Sequence, residues 1–273
     1  ADRARRRFWT VLFGSIVTVV FIIPSGVAFG SALSTYAEAT TYLPDAGEDL
    51  VTALRRSAAA DAPSTQFTDI SETRVLYRAQ DLLADERGWI ALETLPPFLI
   101  DATLLSEDPD FFSGGADRPR FDPAGTLLRL WNNALLGPSA PDASITGRLV
   151  RNAVLSLPDF DRGDTLDLRS REIALVAEIN RRYTPAQILE WHLNTNYYGS
   201  EVYGIEAAAQ TYFGKRAVDL TLDEAALLAA IPMAAQYNPL DNEVAARVRG
   251  GDLLRLMLAE GVITQAQYDS AAT

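Results

Sequence analysis

The sequence predicts a mainly α-helical domain held on one N-terminal transmembrane helix, with a small β-hairpin as its only sheet. Three observations carry this expectation. An uncharged stretch separates Arg7 from Glu38, three capping boxes open apolar helical segments in the C-terminal half, and strand-forming residues gather only around residues 74–84.

The anchor comes first. Phe8 to Phe29 reads FWTVLFGSIVTVVFIIPSGVAF, enough to cover the ~20 residues that a bilayer core requires. Arg3, Arg5, Arg6 and Arg7 precede it and hold the N-terminus in the cytoplasm by the positive-inside rule. A cleaved signal peptide is the alternative, but its apolar region usually spans only ~7–15 residues. The expected organisation is a cytoplasmic basic tail over 1–7, a transmembrane helix over 8–33, a juxtamembrane stalk over 34–70 and a folded domain over 71–273. Trp9 suits the interface, and Pro24 and Gly26 are placed to kink or end the span.

Within the stalk, Leu50 and Leu54 share a face of a short helix over Glu48–Ser57. RVLYRAQDLLA, Arg74 to Ala84, places strand-like residues around a polar turn and predicts the hairpin. Leu95-Pro96-Pro97 marks a boundary, after which the signals are helical. Thr184-Pro185-Ala186-Gln187 opens a helix through ILEWHLN, with Pro at the first helical position. Thr221-Leu222-Asp223-Glu224 opens one that stops at Pro232. Thr264-Gln265-Ala266-Gln267 opens the last, after Gly261 closes its predecessor. Arg169 to Arg182 forms another, with Ile173, Val176, Ala177 and Ile179 apolar.

Composition excludes several chemistries. The chain of 273 residues is 48% hydrophobic, so a packed core is available. It has no Cys, which removes disulfides and thiolate chemistry, and one His, His192, which removes multi-histidine metal sites. Its only Lys is Lys215, with Tyr212 three residues before it, so there is no SxxK nucleophile. A net charge of -12 argues against a nucleic-acid partner. The basic N-terminus leaves the remainder more acidic than the whole, so contact with anionic lipid beyond the anchor must be apolar or local to arginines.

Several positions could carry chemistry. Glu107 and Asp108 end an apolar helix and are followed by Phe111-Phe112. A carboxylate against apolar surface serves general acid–base work, and a helix-terminal acidic pair serves no more than solvation. Ser144-Ile145-Thr146-Gly147-Arg148, continuing to Arg151 and Asn152, joins a polar helix start to two guanidinium groups one turn apart. That suits a phosphate, or a solvated basic face. Arg169 and Glu172 share a helix face, either as a catalytic carboxylate with its cation or as a surface pair. His192 reads as a packed or hydrogen-bonded histidine. Two DxD patterns, Asp108-Pro109-Asp110 and Asp159-Phe160-Asp161, are too short to be specific. Asp159, Asp161 and Asp164 fail the spacing of a calcium loop.

Taken in order, these segments resemble the glycosyltransferase family 51 domain, the peptidoglycan polymerase module of class A penicillin-binding proteins and monofunctional transglycosylases. The motifs are Glu107-Asp108-Pro109-Asp110-Phe111-Phe112; Ser144-Ile145-Thr146 with Arg151-Asn152; Arg169-Ser170-Arg171-Glu172 continuing into RRYTPAQILEWHLNTNYYG; GIEAAAQTYFGK; and LTLDEAALLAAIPMAAQYNP. The resemblance implies a lysozyme-like helical fold over 71–273. It also implies a partly membrane-inserted region at Phe121 to Leu136, where Leu127, Leu128, Leu130, Trp131, Leu135 and Leu136 gather with few charges. A plain core helix is the other reading of that region.

The implied reaction joins lipid II to a glycan strand and releases undecaprenyl pyrophosphate. Glu107 would take the acceptor proton and Glu172 would assist on the donor side. Arg151 and Arg169 would neutralise the leaving group, and Ser144 and Thr146 would shape the pocket. Asp108, Phe111, Arg148 and Asn152 complete the expected substrate-binding set. No obligate cofactor is implied; a divalent cation, Mg or Mn, helps some family members, and no dedicated metal cage is visible. The implied location is the cytoplasmic membrane, with the domain on its outer face.

The pocket segments depart from the family pattern while the framework does not. Gly114, Gly115 and Ala116 stand where a His and a Gly usually follow the first motif. Ala143 and Ser144 replace Ser-Thr, and Gly147 and Arg148 replace Gln-Gln. Arg151 and Pro185 each replace Lys, and Leu168-Arg169 replaces Arg-Lys. Two readings therefore stay open: a working glycosyltransferase, or a catalytically impaired relative serving as a binding or structural subunit of a membrane complex.

Overall fold

The computed structural model describes residues 23–41, 43, 66–68, 75–78, 88–113, 115, 121–155 and 165–272. The part of the predicted span up to Ile22, the helix over Glu48–Ser57, the second arm of the predicted hairpin and Asp159, Asp161 and Asp164 lie outside these residues. The described part is mainly helical. Its helices are α1 (Ile23–Thr40), α2 (Pro97–Glu107), α3 (Pro123–Leu136), α4 (Ile145–Leu149), α5 (Thr165–Arg182), α6 (Pro185–Thr195), α7 (Ile205–Phe213), α8 (Leu222–Ala230), α9 (Glu243–Ala259) and α10 (Gln265–Ala271). The chain divides into two compact units. One comprises Ala1–Leu43, Phe121–Pro141 and Asp161–Glu178, and the other Pro44–Arg120, Asp142–Phe160 and Ile179–Thr273.

In the first unit, α1 runs through Pro24 and Gly26 and on to Thr40, so the first residues of the predicted stalk are helical. Among the described residues no helix is long and apolar enough to cross a membrane. The C-terminal end of α1 packs on α5. Tyr36 donates from its hydroxyl to Glu178 Oε2 at 2.6 Å, and Arg171 Nη2 meets Glu38 Oε1 at 2.9 Å. Arg171, itself buried, also pairs with Asp167 one turn away at 3.0 Å. Two carboxylates, Glu38 and Asp167, thus meet one buried guanidinium, as burial of a charge requires.

Helix α3 starts where Asp122 accepts from Gly125 N and Pro123 takes the first helical position. Thr126, Leu130 and Asn133 form its buried face, with Leu130 against Ile173 and Tyr36. Asn133 is fully buried and fully used: it donates to Leu166 O at 3.1 Å and Ser170 Oγ at 2.8 Å, and accepts from Ser139 N at 2.8 Å. The leucines go the other way. Leu127, Leu128, Leu135 and Leu136 are all exposed, Leu136 by 82%. The region is therefore a helix with a polar-centred buried face and an apolar exposed one.

In the second unit, β1 (Gln66–Thr68) pairs antiparallel with β2 (Val75–Arg78), Phe67 opposite Tyr77, with a register shift between Phe67 and Thr68. The described partner of β2 lies upstream of it; the second arm that the sequence expectation placed inside 74–84 falls outside the described residues. The core joins Ala102 of α2 to Ala226, Ala229 and Ala230 of α8 and to Leu253, Leu254 and Met257 of α9. Small residues let the backbones approach: a Cβ on Gly250 would stand 3.1 Å from Leu227 Cα.

The expected caps are present. Thr184 and Gln187 exchange bonds at the start of α6, and Thr264 and Gln267 do the same before α10. At α8, Glu224 accepts from Thr221 N at 2.9 Å and from Lys215 Nζ at 2.8 Å. Burial pushes the Glu224 carboxyl up, but those donors outweigh it and hold the group below its ordinary value of 4.5. After α6 the chain turns through Gly199 (φ 87°) and Gly204 (φ 82°), where a Cβ would lie 2.5 Å from Ala235 O and 2.7 Å from Asn194 O respectively.

Two predictions follow from this packing. Glu224→Gln removes a charge stabilised by folding. Wild-type stability from this group is complete above pH 4.5 and falls as pH drops through the lower folded value, so urea midpoints of the variant and wild type should converge in acid and differ by about 0.5–1 kcal/mol at neutral pH. Gly204→Ala forces an L side chain into left-handed backbone against Asn194 O, and chemical denaturation should show a loss of about 2–4 kcal/mol.

Candidate active site

Glu107 closes α2, which begins with Pro97 at its first position and ends at Asp108. Its carboxylate is buried, with 1% of the side chain exposed. Both contacts made to it fall on one oxygen. His192 Nε2 lies 3.0 Å from Oε2, and Arg148 Nε lies 3.2 Å from the same atom. The arginine contact is an ion pair rather than an aligned hydrogen bond, since Arg148 Nε has no hydrogen-bond partner. Oε1 is buried and has no hydrogen-bond partner among the described residues. Arg148 continues past the carboxylate to the Met233 sulfur, with Nη2 at 2.8 Å.

The segment carrying Arg148 is locked by its own short-range bonds. Ser144 caps α4 by accepting from Gly147 N at 3.1 Å, and Asp108 Oδ2 accepts from Ile145 N at 3.3 Å. A Cβ on Gly147 would sit 2.5 Å from Asp142 O. This accounts physically for glycine where the family pattern has glutamine. Arg151 Nη1 donates to that same carbonyl at 2.6 Å. Thr146 is buried and donates to Asn180 Oδ1 at 3.0 Å. Beyond Leu149 the helix widens into a π turn, Val150–Val154, carrying Arg151 and Asn152. Asn152 Nδ2 donates to Asn196 Oδ1 at 2.9 Å, and Asn196 Nδ2 stands 3.2 Å from His192 Nε2. A polar chain therefore runs Asn152, Asn196, His192, Glu107.

Helix α6 presents His192 because its apolar face, Ile188, Leu189 and Leu193, is buried. The ring is fully enclosed. Nearby, Tyr198 is buried, and its phenol is pushed well above the usual range, first by burial and then by the negative charge of Glu107. Phe111 is 2% exposed and packs against Phe112 with ring centroids 5.3 Å apart.

In the first unit, α5 presents Arg169 and Glu172 one turn apart. Glu172 is buried, and its Oε2 meets Arg169 Nη1 at 2.5 Å. Glu107, Asp108, Phe111, Ser144, Thr146, Arg148, Arg151 and Asn152 all belong to the second unit, and Arg169 and Glu172 to the first. The structure brings Glu107 together with Arg148, and Asp108 with the start of α4. It gives Ser144, Thr146 and Phe111 capping, hydrogen-bonding and packing contacts inside the second unit. Among the described residues no group of three or more His, Cys, Asp or Glu side chains is gathered as a metal would need, so no step is assigned to one.

His192 is the functional neighbour that sequence reasoning did not connect to Glu107. The available signal was a polar ring within an apolar helical face, which demands a buried partner without naming it.

Comparison with known proteins agrees with the motif order. The transglycosylase family model matches residues 73–258. Penicillin-binding protein 1A of Aquifex aeolicus (strain VF5) is 37% identical over 188 residues, covering 68% of this chain and 25% of the relative. Penicillin-binding protein 1A of Escherichia coli (strain K12) is 37% identical over 187 residues, covering 67% and 21%. Penicillin-binding protein 2a of Streptococcus pneumoniae serotype 2 (strain D39 / NCTC 7466) is 28% identical over 270 residues, covering 98% and 33%. The chain thus spans about a fifth to a third of the length of these curated relatives. With the family model matching well over half of the chain, and with Glu107 and His192 meeting inside the matched region, the chain belongs to the transglycosylase family.

Proposed function

We propose that this chain is a membrane-anchored peptidoglycan glycosyltransferase that polymerises lipid II into glycan strands. The observation that carries the reading is the Glu107 carboxylate: buried, held through one oxygen and unpaired at the other. A carboxylate so placed is suited to general-base work. Glu107 takes the proton of an acceptor sugar hydroxyl as that oxygen forms a bond to the donor's anomeric carbon. The bond from that carbon to pyrophosphate breaks, and undecaprenyl pyrophosphate leaves with the electron pair. Glu172, with Arg169, assists on the donor side. Arg151 and Arg169 supply cations for the pyrophosphate, with guanidinium forks suited to its oxygens.

The same reading gives a lysozyme-like domain over 71–273, a stalk over 34–70, a span over 8–33 and a cytoplasmic tail over 1–7. It places the domain on the outer face of the cytoplasmic membrane. The exposed leucines of α3 support it, because a lipid-linked substrate needs an apolar surface at headgroup height. Partners are lipid II, the glycan strand and membrane lipid, with other membrane proteins as candidates for a complex.

One observation favours the second reading, a subunit without turnover: Arg148 sits directly on the Glu107 carboxylate and ties it to Met233. Purified full-length chain in lipid II-containing liposomes separates the two. A polymerase gives glycan product, Glu107→Gln lowers kcat by about 10²–10⁴-fold, the range of general acid–base catalysis, and melting temperatures show the variant folded. No product from folded wild type makes the chain a binding subunit. Leu128→Asp with Leu136→Asp should leave folding within about 0.5 kcal/mol, as exposed positions do, yet slow polymerisation in bilayers more than in detergent.

A further inference from the structure

The lone histidine occupies a position whose chemistry the family reading leaves unassigned. Its ring is fully buried, with Nε2 between Glu107 Oε2 at 3.0 Å and Asn196 Nδ2 at 3.2 Å. The Asn196 amide is pinned, because its Oδ1 accepts from Tyr197 N at 3.1 Å and from Asn152 Nδ2 at 2.9 Å. A neutral ring can therefore hold its proton in one of two exclusive ways. With the proton on Nε2, the ring donates to Glu107. With the proton on Nδ1, bare Nε2 accepts from Asn196.

An ionised Glu107 selects the first. A charge-assisted bond is roughly twice as strong as a neutral one. The second state would set a lone pair against the carboxylate and point Nδ1–H into a site where that buried nitrogen has no partner.

We propose that His192 is a positioning residue for Glu107. Its Nε2–H holds Oε2, Arg148 adds charge at the same oxygen, and Oε1 is left as the atom that accepts the substrate's proton. The proposal rests on the reading of Glu107 as general base, and its test separates the two.

Because the chain has one histidine, ¹⁵N-histidine labelling of the full-length protein in detergent gives a single imidazole pair. The expected spectrum shows the Nε2–H tautomer at neutral pH, with the Nε2 signal moved by Glu107→Gln. An Nδ1–H tautomer indifferent to Glu107→Gln overturns the proposal, whether or not the chain polymerises lipid II. Kinetics give the second readout. His192→Phe should lower kcat by about 10²-fold, the cost of a misplaced catalytic group, with KM unchanged, and His192→Gln, which restores a donor, should recover most of it. Equal activity of wild type and a folded His192→Phe overturns positioning while leaving the polymerase reading intact. Inactive wild type with a Glu107-sensitive Nε2–H signal defeats the polymerase reading and leaves the contact standing.

Discussion

A carboxylate taken out of water must be paired, and much of the second unit is arranged around that requirement at Glu107. Removing a charged side chain from water costs several kcal/mol unless donors or counter-charges meet it. Here α6 contributes a ring nitrogen and α4 a guanidinium. Each needs its own support: the Thr184–Gln187 cap and apolar face for α6, the Ser144 cap and Gly147 for α4. Asparagines 152 and 196 then extend the network behind the histidine. A polar network of this kind is costly when partly satisfied, which concentrates the consequence on the atoms that lack a hydrogen-bond partner among the described residues, Glu107 Oε1, Arg148 Nε and His192 Nδ1.

The first unit solves a related problem differently. Arg171 is buried and shared between Asp167 of its own helix and Glu38 of α1, while Tyr36 reaches Glu178. The end of α1, the helix that begins inside the predicted span, is thereby tied to the helix carrying Arg169 and Glu172. On α3 the buried face is built on Thr126, Leu130 and a fully satisfied Asn133, and leucines are spent on the outside. That inversion of the usual pattern leaves an apolar face exposed among the described residues.

The departures from the family motifs acquire physical content at two positions. Gly147 leaves room for the Asp142 carbonyl, which in turn receives Arg151. Arg148 uses its length to pass from the Glu107 carboxylate to Met233, which a glutamine would not span with charge. Nothing in the structure explains Leu168 in place of arginine.

Local signals in the sequence determined the helices, because capping and periodicity are carried by residues three or four apart. Thr184–Gln187, Thr264–Gln267 and Pro97 mark helix starts where expected, and Glu107 ends α2 as its apolar run predicts. Motif order gave the family for the same reason: it is a one-dimensional pattern. What depends on distant residues was decided only by tertiary structure. The described partner of Val75–Arg78 is the upstream strand Gln66–Thr68, a pairing that no local signal named. The leucines of α3 faced outward, since periodicity identifies a face without saying what covers it. His192 met Glu107 across a long stretch of chain, since a buried polar group advertises its need for a partner while only the fold chooses which one arrives.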